Sequence, residues 1–312
     1  NSVLCHLDSS SMKLSVCQKN LFRTEHRRLH TPIVPCSDHV MWHSWVMPVL
    51  HNQGQNVGYG VAGAPLGTAG IPVLLFHGTT MDRSAWNFVI ASMPTERTYI
   101  QVEFPGSGES TMPSAPLSVE GLISDALAVL HELKVDRFHV AGYSLGAVIA
   151  AAIAAAVPDR VASATMLCGW VASDARMRMT FDLWKRLITI GPDLFMRYAL
   201  VDGFTADALT GIEPMVEAMI PMTADAVAPG SIAHLDLDMI IDISAQLPLI
   251  TAPCLVISGA QDRWVDPTHG HALSAGIKNS TFCTLPAGHL VIQEQAGDVA
   301  ALVHEHLTAH SE

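Results

Sequence analysis

Residues 139–160 read "HVAGYSLGAVIAAAIAAAVPDR". From Val140 to Val157 nothing is charged, and about 20 apolar residues suffice to cross a bilayer. The composition argues against a span. Eight of the eighteen residues are alanine, which is barely apolar, and Gly142, Tyr143, Ser144 and Gly146 crowd its leading part. It divides better in two. "RFHVAGY" is a short buried strand, bounded by charge on one side and glycine on the other. "LGAVIAAAIAAAVPDR" is an Ala-rich helix stopped at Pro158, with small faces suited to close packing on a sheet. Ser144 falls at the junction, inside Gly142-Tyr143-Ser144-Leu145-Gly146. This G-x-S-x-G pattern marks a sharp turn from strand to helix that presents a nucleophilic serine. The glycines have a physical reason: a Cβ at either flank would collide across so tight a turn. The helix that follows aims its first N–H groups at negative charge forming on a substrate.

The rest of the chain fits a large core. It has 312 residues, 49% of them hydrophobic and 15% charged, against a usual charged share of about 25%. A net charge of −12 disfavours nucleic acid and anionic membrane as partners. It leaves the oligomeric state open. Cys168, Cys254 and Cys283 fall in apolar runs and read as buried free thiols, and no C-x-x-C pair suggests zinc or redox chemistry. A reducing, cytoplasmic setting is therefore expected, with no cofactor and no metal. Residues 1–46 differ, being rich in Ser, His, Arg and Lys and poor in acids, without an apolar secretory core. They read as a poorly structured extension, either a transit peptide or a segment with no structural role.

From about residue 47 strand-like and helix-like runs alternate. "IPVLLFHG" (71–78), "TYIQVEFPGSGES" (98–110), "VASATMLCGW" (161–170), "APCLVISGAQD" (252–262) and "STFCTLPAGH" (280–289) are strands with their exit turns. "SVEGLISDALAVLHELKV" (118–135) is an amphipathic helix with Ser118 as N-cap, and "GDVAALVHEHLTAH" closes the chain as a helix. Such alternation predicts an α/β fold with a mainly parallel, doubly covered sheet. Between Trp170 and Leu249 the alternation stops, giving way to helical runs broken at Gly191-Pro192, Gly203, Pro214, Pro221 and Pro229. An all-helical cap is expected there (170–249), inserted into a core formed by 47–169 and 250–312. Its methionines (177, 179, 196, 215, 219, 222 and 239) either face an adaptable apolar pocket or pack the cap's own small core.

A serine at its ordinary pKa needs a base, and the base needs an orienting acid. After this type of turn the partners follow in the order acid, then histidine. "SGAQDRWVDP" offers Asp262 at one strand end and "LPAGHLVIQEQ" offers His289 at the next. Asp266 is the rival acid, but it precedes Pro267 and fits better as a helix N-cap. His77, His269 and His271 are minor rivals for the base.

Taken in order, "HGTTMDRSAW" (77–86), "PGSGES" (105–110), "GYSLG" (142–146), "GAQD" (259–262) and "AGH" (287–289) give residues 50–310 a resemblance to α/β-hydrolase-fold enzymes. The chain looks most like the small-molecule esterases, enol-lactonases, cofactor-free perhydrolases and C–C bond hydrolases of that fold. The resemblance implies an eight-stranded sheet with the cap after the sixth strand, and Ser144, Asp262 and His289 as catalytic residues. It implies backbone N–H groups of Thr79 and Leu145 as the oxyanion hole. It also implies a pocket lined by Thr80, Trp86, Tyr143, Trp170 and Leu290, covered by the cap. Aspartate-nucleophile relatives are excluded by Ser144. Two departures stand out: Glu103 where the family usually has Asp, and Ala147 where many relatives have Gly. The expected activity is hydrolysis of a carboxylic ester or lactone of a largely apolar small molecule through an acyl-enzyme. Thioester or C–C bond hydrolysis with the same residues, or a ligand receptor without turnover, are the alternatives.

Overall fold

The computed structural model describes residues 48–311, which lie in one compact unit. The extension expected over 1–46 falls outside the described residues. Eight strands form a single sheet among the described residues: β1 (Val49–Asn52), β2 (Gln55–Gly63), β3 (Val73–Phe76), β4 (Thr98–Val102), β5 (Phe138–Tyr143), β6 (Val161–Leu167), β7 (Cys254–Gly259) and β8 (Ser280–Leu285). Their order is β1-β2-β4-β3-β5-β6-β7-β8. β1 pairs antiparallel with β2, and β2 antiparallel with β4. From β4 to β8 every pairing is parallel. The central strands β3 to β7 are buried at every position, as expected where both faces of a parallel sheet are covered.

The helices are α1 (Asn87–Ala91), α2 (Val119–Glu132), α3 (Leu145–Ala156), α4 (Ala175–Ile190), α5 (Pro192–Gly203), α6 (Ala206–Ile212), α7 (Val216–Asp225), α8 (Ser231–Asp238), α9 (Pro267–Ala275), α10 (Val291–Glu294) and α11 (Ala296–Ala309). The charge-free run thus resolves into a strand and a twelve-residue helix. No described helix is long and apolar enough to cross a membrane. α3 is buried around its whole circumference from Leu145 to Ala155, its many alanines and Gly146 suiting close packing on β5 and β6. Ser118 caps α2 by accepting the Gly121 N–H.

The five helices α4 to α8 lie between β6 and β7 as a helical insert. Its core is aromatic: Trp184 lies against Phe181, Phe195 and Trp264 with ring centroids 5.7, 5.3 and 4.5 Å away. Two expectations need correction here. Pro221 does not break a helix but sits inside α7; its fixed φ suits a helix, and what it gives up is one backbone bond. Met179, Met215 and Met222 line neither a pocket nor a core, being 75%, 53% and 75% exposed. Met177 alone of the seven is fully buried.

His77, His139 and His234 are completely enclosed. On β5, His139 Nδ1 meets Ser163 Oγ at 2.8 Å, and burial, aided by Arg97 and other cationic neighbours, lowers its pKa to about 3. A histidine held neutral in the folded state but free to protonate when unfolded stabilises above its unfolded pKa of about 6.5 and loses that contribution as pH falls. The parent should therefore lose about 2 kcal/mol more stability between pH 7 and pH 5 than a His139→Asn variant. Urea midpoints at the two pH values test this, and equal pH dependence in both proteins would refute it.

Candidate active site

β5 runs straight into Ser144, which takes φ 56° and ψ −120° before α3 begins. A positive φ at a residue other than glycine is strained by about 1–3 kcal/mol and persists only where the surroundings enforce it. The enforcement is steric. A Cβ on Gly142 would lie 1.9 Å from the Gly146 carbonyl oxygen, and one on Gly146 would lie 2.4 Å from that of Phe76. Both positions exclude any side chain, so the glycine spacing read from the sequence has a direct cause. Ala147 is accommodated opposite Gly169, where a Cβ would approach the Ala147 Cβ to 2.7 Å.

The elbow, the turn after β7 and the turn after β8 converge. His289 Nε2 lies 3.0 Å from Ser144 Oγ, and its Nδ1 lies 2.7 Å from Asp262 Oδ2. The other Asp262 oxygen accepts the N–H groups of Trp264 and Val265, both at 2.9 Å. With a carboxylate at Nδ1, the proton is assigned to that nitrogen, leaving Nε2 to accept from the serine hydroxyl. Asp266 is occupied elsewhere: it caps α9, accepting the Thr268 N–H at 2.9 Å and hydroxyl at 2.6 Å, and these bonds hold its carboxyl below the usual range. His77 is equally occupied. Its Nε2 accepts the Phe104 N–H at 3.1 Å, so Nδ1 donates to the Gly78 carbonyl at 2.8 Å; burial lowers its pKa to about 3. It braces the loop after β3 and has no nitrogen left to act as a base. His269 pairs with Asp174 at 3.3 Å.

Ser144 is only 8% exposed, and His289 and Asp262 less so. The Tyr143 ring (5.3 Å) and the Trp264 ring (4.9 Å) pack on the imidazole. The Tyr143 hydroxyl donates to the His289 carbonyl at 3.0 Å. Burial pushes the Tyr143 phenol and the nearby Cys168 thiol well above their ordinary pKa values, so both stay neutral. Cys168, Asp262 and His289 bring potential metal-ligand atoms within 4.8 Å of one another. A protonated thiol and an imidazole nitrogen already bonded to the carboxylate make a poor metal site.

Leu145 opens α3, so its N–H belongs to the first turn, which has no partner within the helix. Thr79 and Thr80 lie in the loop after β3, both largely buried, and Thr80 also has a positive φ of 67°. The Thr79 hydroxyl donates to Asp238 Oδ2 at 2.6 Å. Trp86 and Trp170 are fully enclosed and their indole N–H groups are used, donating to the Phe76 carbonyl and to Ser173 Oγ. These bonds make both rings framework. Leu290 lies beside the histidine, and its N–H donates to the Gly203 carbonyl at 3.1 Å. Glu103, the family departure, is a brace: it pairs with Arg83 at 2.7 Å and accepts the Glu109 N–H.

Three residues here escaped the sequence reading. Trp264 is pinned on the imidazole by its indole N–H, which donates to Asp202 on α5 at 3.0 Å. Glu294 accepts the Gly288 N–H at 2.8 Å and the Thr205 hydroxyl at 2.7 Å, tying the histidine turn to the insert. The third is Asp238. Its one trace in sequence is an acid inside the apolar run "HLDLDMI".

Comparison with known proteins identifies the family and the fold. The sequence is 25% identical over 242 residues to pyrrolizixenacetamide deacetylase of Xenorhabdus hominickii, covering 75% of this chain and 90% of that protein. It is 27% identical over 256 residues to 3-oxoadipate enol-lactonase 2 of Acinetobacter baylyi, covering 80% and 94%. Among solved structures, the enol-lactonase from Burkholderia xenovorans superposes with a TM-score of 0.75 at 23% identity, covering 84% of this chain and all of that one. The pattern described as "Alpha/beta hydrolase family" matches residues 73–302, which span all five motifs from the loop after β3 to the histidine turn. The chain belongs to the alpha/beta hydrolase family.

Proposed function

We propose that the chain is a serine hydrolase cleaving a carboxylic ester or lactone of a small, largely apolar molecule through an acyl-enzyme. The observation that carries this reading is the continuous relay from Ser144 Oγ through both nitrogens of His289 to a fully bonded Asp262 carboxylate. In this mechanism His289 Nε2 removes the hydroxyl proton as Oγ attacks the carbonyl carbon. The oxygen turns anionic and is received by the N–H groups of Thr79 and Leu145, each such donor contributing about 3 kcal/mol in comparable sites. The imidazolium then gives its proton to the leaving oxygen, and a water activated by the same nitrogen releases the acid. Asp262 holds the ring in the accepting tautomer throughout. The acyl transfer needs no cofactor.

The helical insert acts in this reading as the cap. Support comes from Asp202 pinning Trp264 onto the histidine, from the aromatic cluster around Trp184, and from the near burial of Ser144. Such walls favour apolar acyl or alcohol groups over charged ones. Short p-nitrophenyl esters are the first test. Steady release of p-nitrophenol over many turnovers is expected, with butyrate turned over faster than a charged succinate ester. Release that stops at one equivalent, or binding without release, would overturn the reading in favour of a receptor on this fold.

A further inference from the structure

The last residue of α8, Asp238, places a carboxyl directly behind the proposed oxyanion hole. It is fully buried, and its Oδ2 accepts the Thr79 hydroxyl across a sequence separation of 159 residues. Three covalent bonds separate that hydroxyl oxygen from the Thr79 nitrogen. The backbone of Asp238 is held as well, its carbonyl accepting the Ser173 hydroxyl, which in turn accepts the Trp170 indole N–H. Oδ1, by contrast, has no hydrogen-bond partner. A buried carboxylate oxygen without a partner is costly, whereas the same oxygen carrying a proton is much less so.

We infer that Asp238 is a positioning residue of the oxyanion hole: protonated, it anchors Thr79 with its N–H toward the reacting oxygen, and ionised, it sets a negative charge behind that N–H and opposes the oxyanion. This rests on the hydrolase reading above. Burial pushes the Asp238 carboxyl up to about 8, with the Thr79 hydrogen bond pulling it back only partly. Among the described residues no cation pairs with the carboxyl to hold it ionised. Thr79 approaches from the loop after β3, and the buried, neutral His234 precedes Asp238 by one turn on α8. On the side of α4, Arg178 donates to the Ser173 carbonyl, Asp174 caps the helix and binds His269, and Lys185 pairs with Asp236. Asp242, past the end of α8, accepts from Ser244 at the surface. Beside the triad, Tyr143 and Cys168 stay neutral well into alkaline pH. Asp238 is then the carboxyl next to the hole whose charge changes between pH 7 and pH 9.

The test is the pH dependence of kcat for a p-nitrophenyl ester, with circular dichroism confirming a folded protein at each pH. In the parent, kcat is expected to fall about tenfold or more between pH 7.0 and pH 9.5, a size consistent with a buried charge a few ångströms from the oxyanion. In Asp238→Asn the ratio between the two pH values should collapse to within about twofold, because the amide cannot ionise. Thr79→Val removes the anchoring hydroxyl and keeps the backbone N–H, so kcat at pH 7 should drop about tenfold with KM little changed. A parent that turns over without an alkaline decline, a decline that persists in Asp238→Asn, or an unaltered kcat in Thr79→Val would each overturn the inference. Should Asp238→Asn fail to fold, the parent profile and Thr79→Val decide. A parent with no turnover at any pH refutes the hydrolase reading instead, so the two failures are distinct.

Discussion

Ser144→Ala is expected to reduce kcat by at least about a thousandfold while leaving the fold intact, since binding and the oxyanion donors sustain only residual catalysis without a nucleophile. Alanine keeps the Cβ that the elbow already accommodates at φ 56°, so the turn itself loses nothing. What disappears from the folded state is one hydroxyl, 3.0 Å from His289 Nε2. A single such bond contributes about 1 kcal/mol, equivalent to roughly 2–4 °C in Tm for a domain of this size. Single-turnover kinetics and a thermal melt on the same preparation give both quantities. Activity within tenfold of the parent would place the nucleophile elsewhere.

The second large effect separates two aspartates four positions apart. Asp262→Asn should lower kcat by about 10⁴-fold, with little loss of stability. An asparagine there can still accept the Trp264 and Val265 N–H groups that now bond Asp262 Oδ1. Its amide nitrogen then faces His289 Nδ1 in place of the oxygen now 2.7 Å away. Two donors cannot share that contact, so the ring takes the other tautomer, and Nε2, now protonated, cannot accept from Ser144. Asp266→Asn should leave kcat and stability nearly unchanged, because asparagine caps a helix about as well as aspartate does. Parallel kinetics on the two variants decide it; the opposite ranking would mean that Asp266 orients the base.

The sequence was most readable where chemistry and backbone demand the same residue. Gly142 and Gly146 announce the elbow because no side chain fits at either position. Asp266 could be set apart from Asp262 because Asp-Pro is a helix start, and the structure uses it as one. The order of β3 and β4 in the sheet has no local signature, since it depends on which strands meet after crossing over. The insert was the least legible segment. Methionine suits cores and surfaces alike, so composition could not tell that Met179 and Met222 face solvent. Asp238 resembles the acids of any exposed helix, and its neighbour Asp236 is one. Only the approach of Thr79, remote in sequence, distinguishes the two. Trp264 and Glu294 were missed for the same reason, as their roles come from partners on α5 and at the start of α6.

The Glu294 carboxylate holds Gly288, the residue before the histidine, and Thr205, the residue that caps α6. One side chain therefore fastens the helical insert to the turn that carries His289. Any displacement that carries Thr205 outward must stretch bonds to the same carboxylate that steadies the His289 turn. If the insert acts as the proposed cap, admission of a guest and readiness to react would be mechanically opposed, because one carboxylate fastens both.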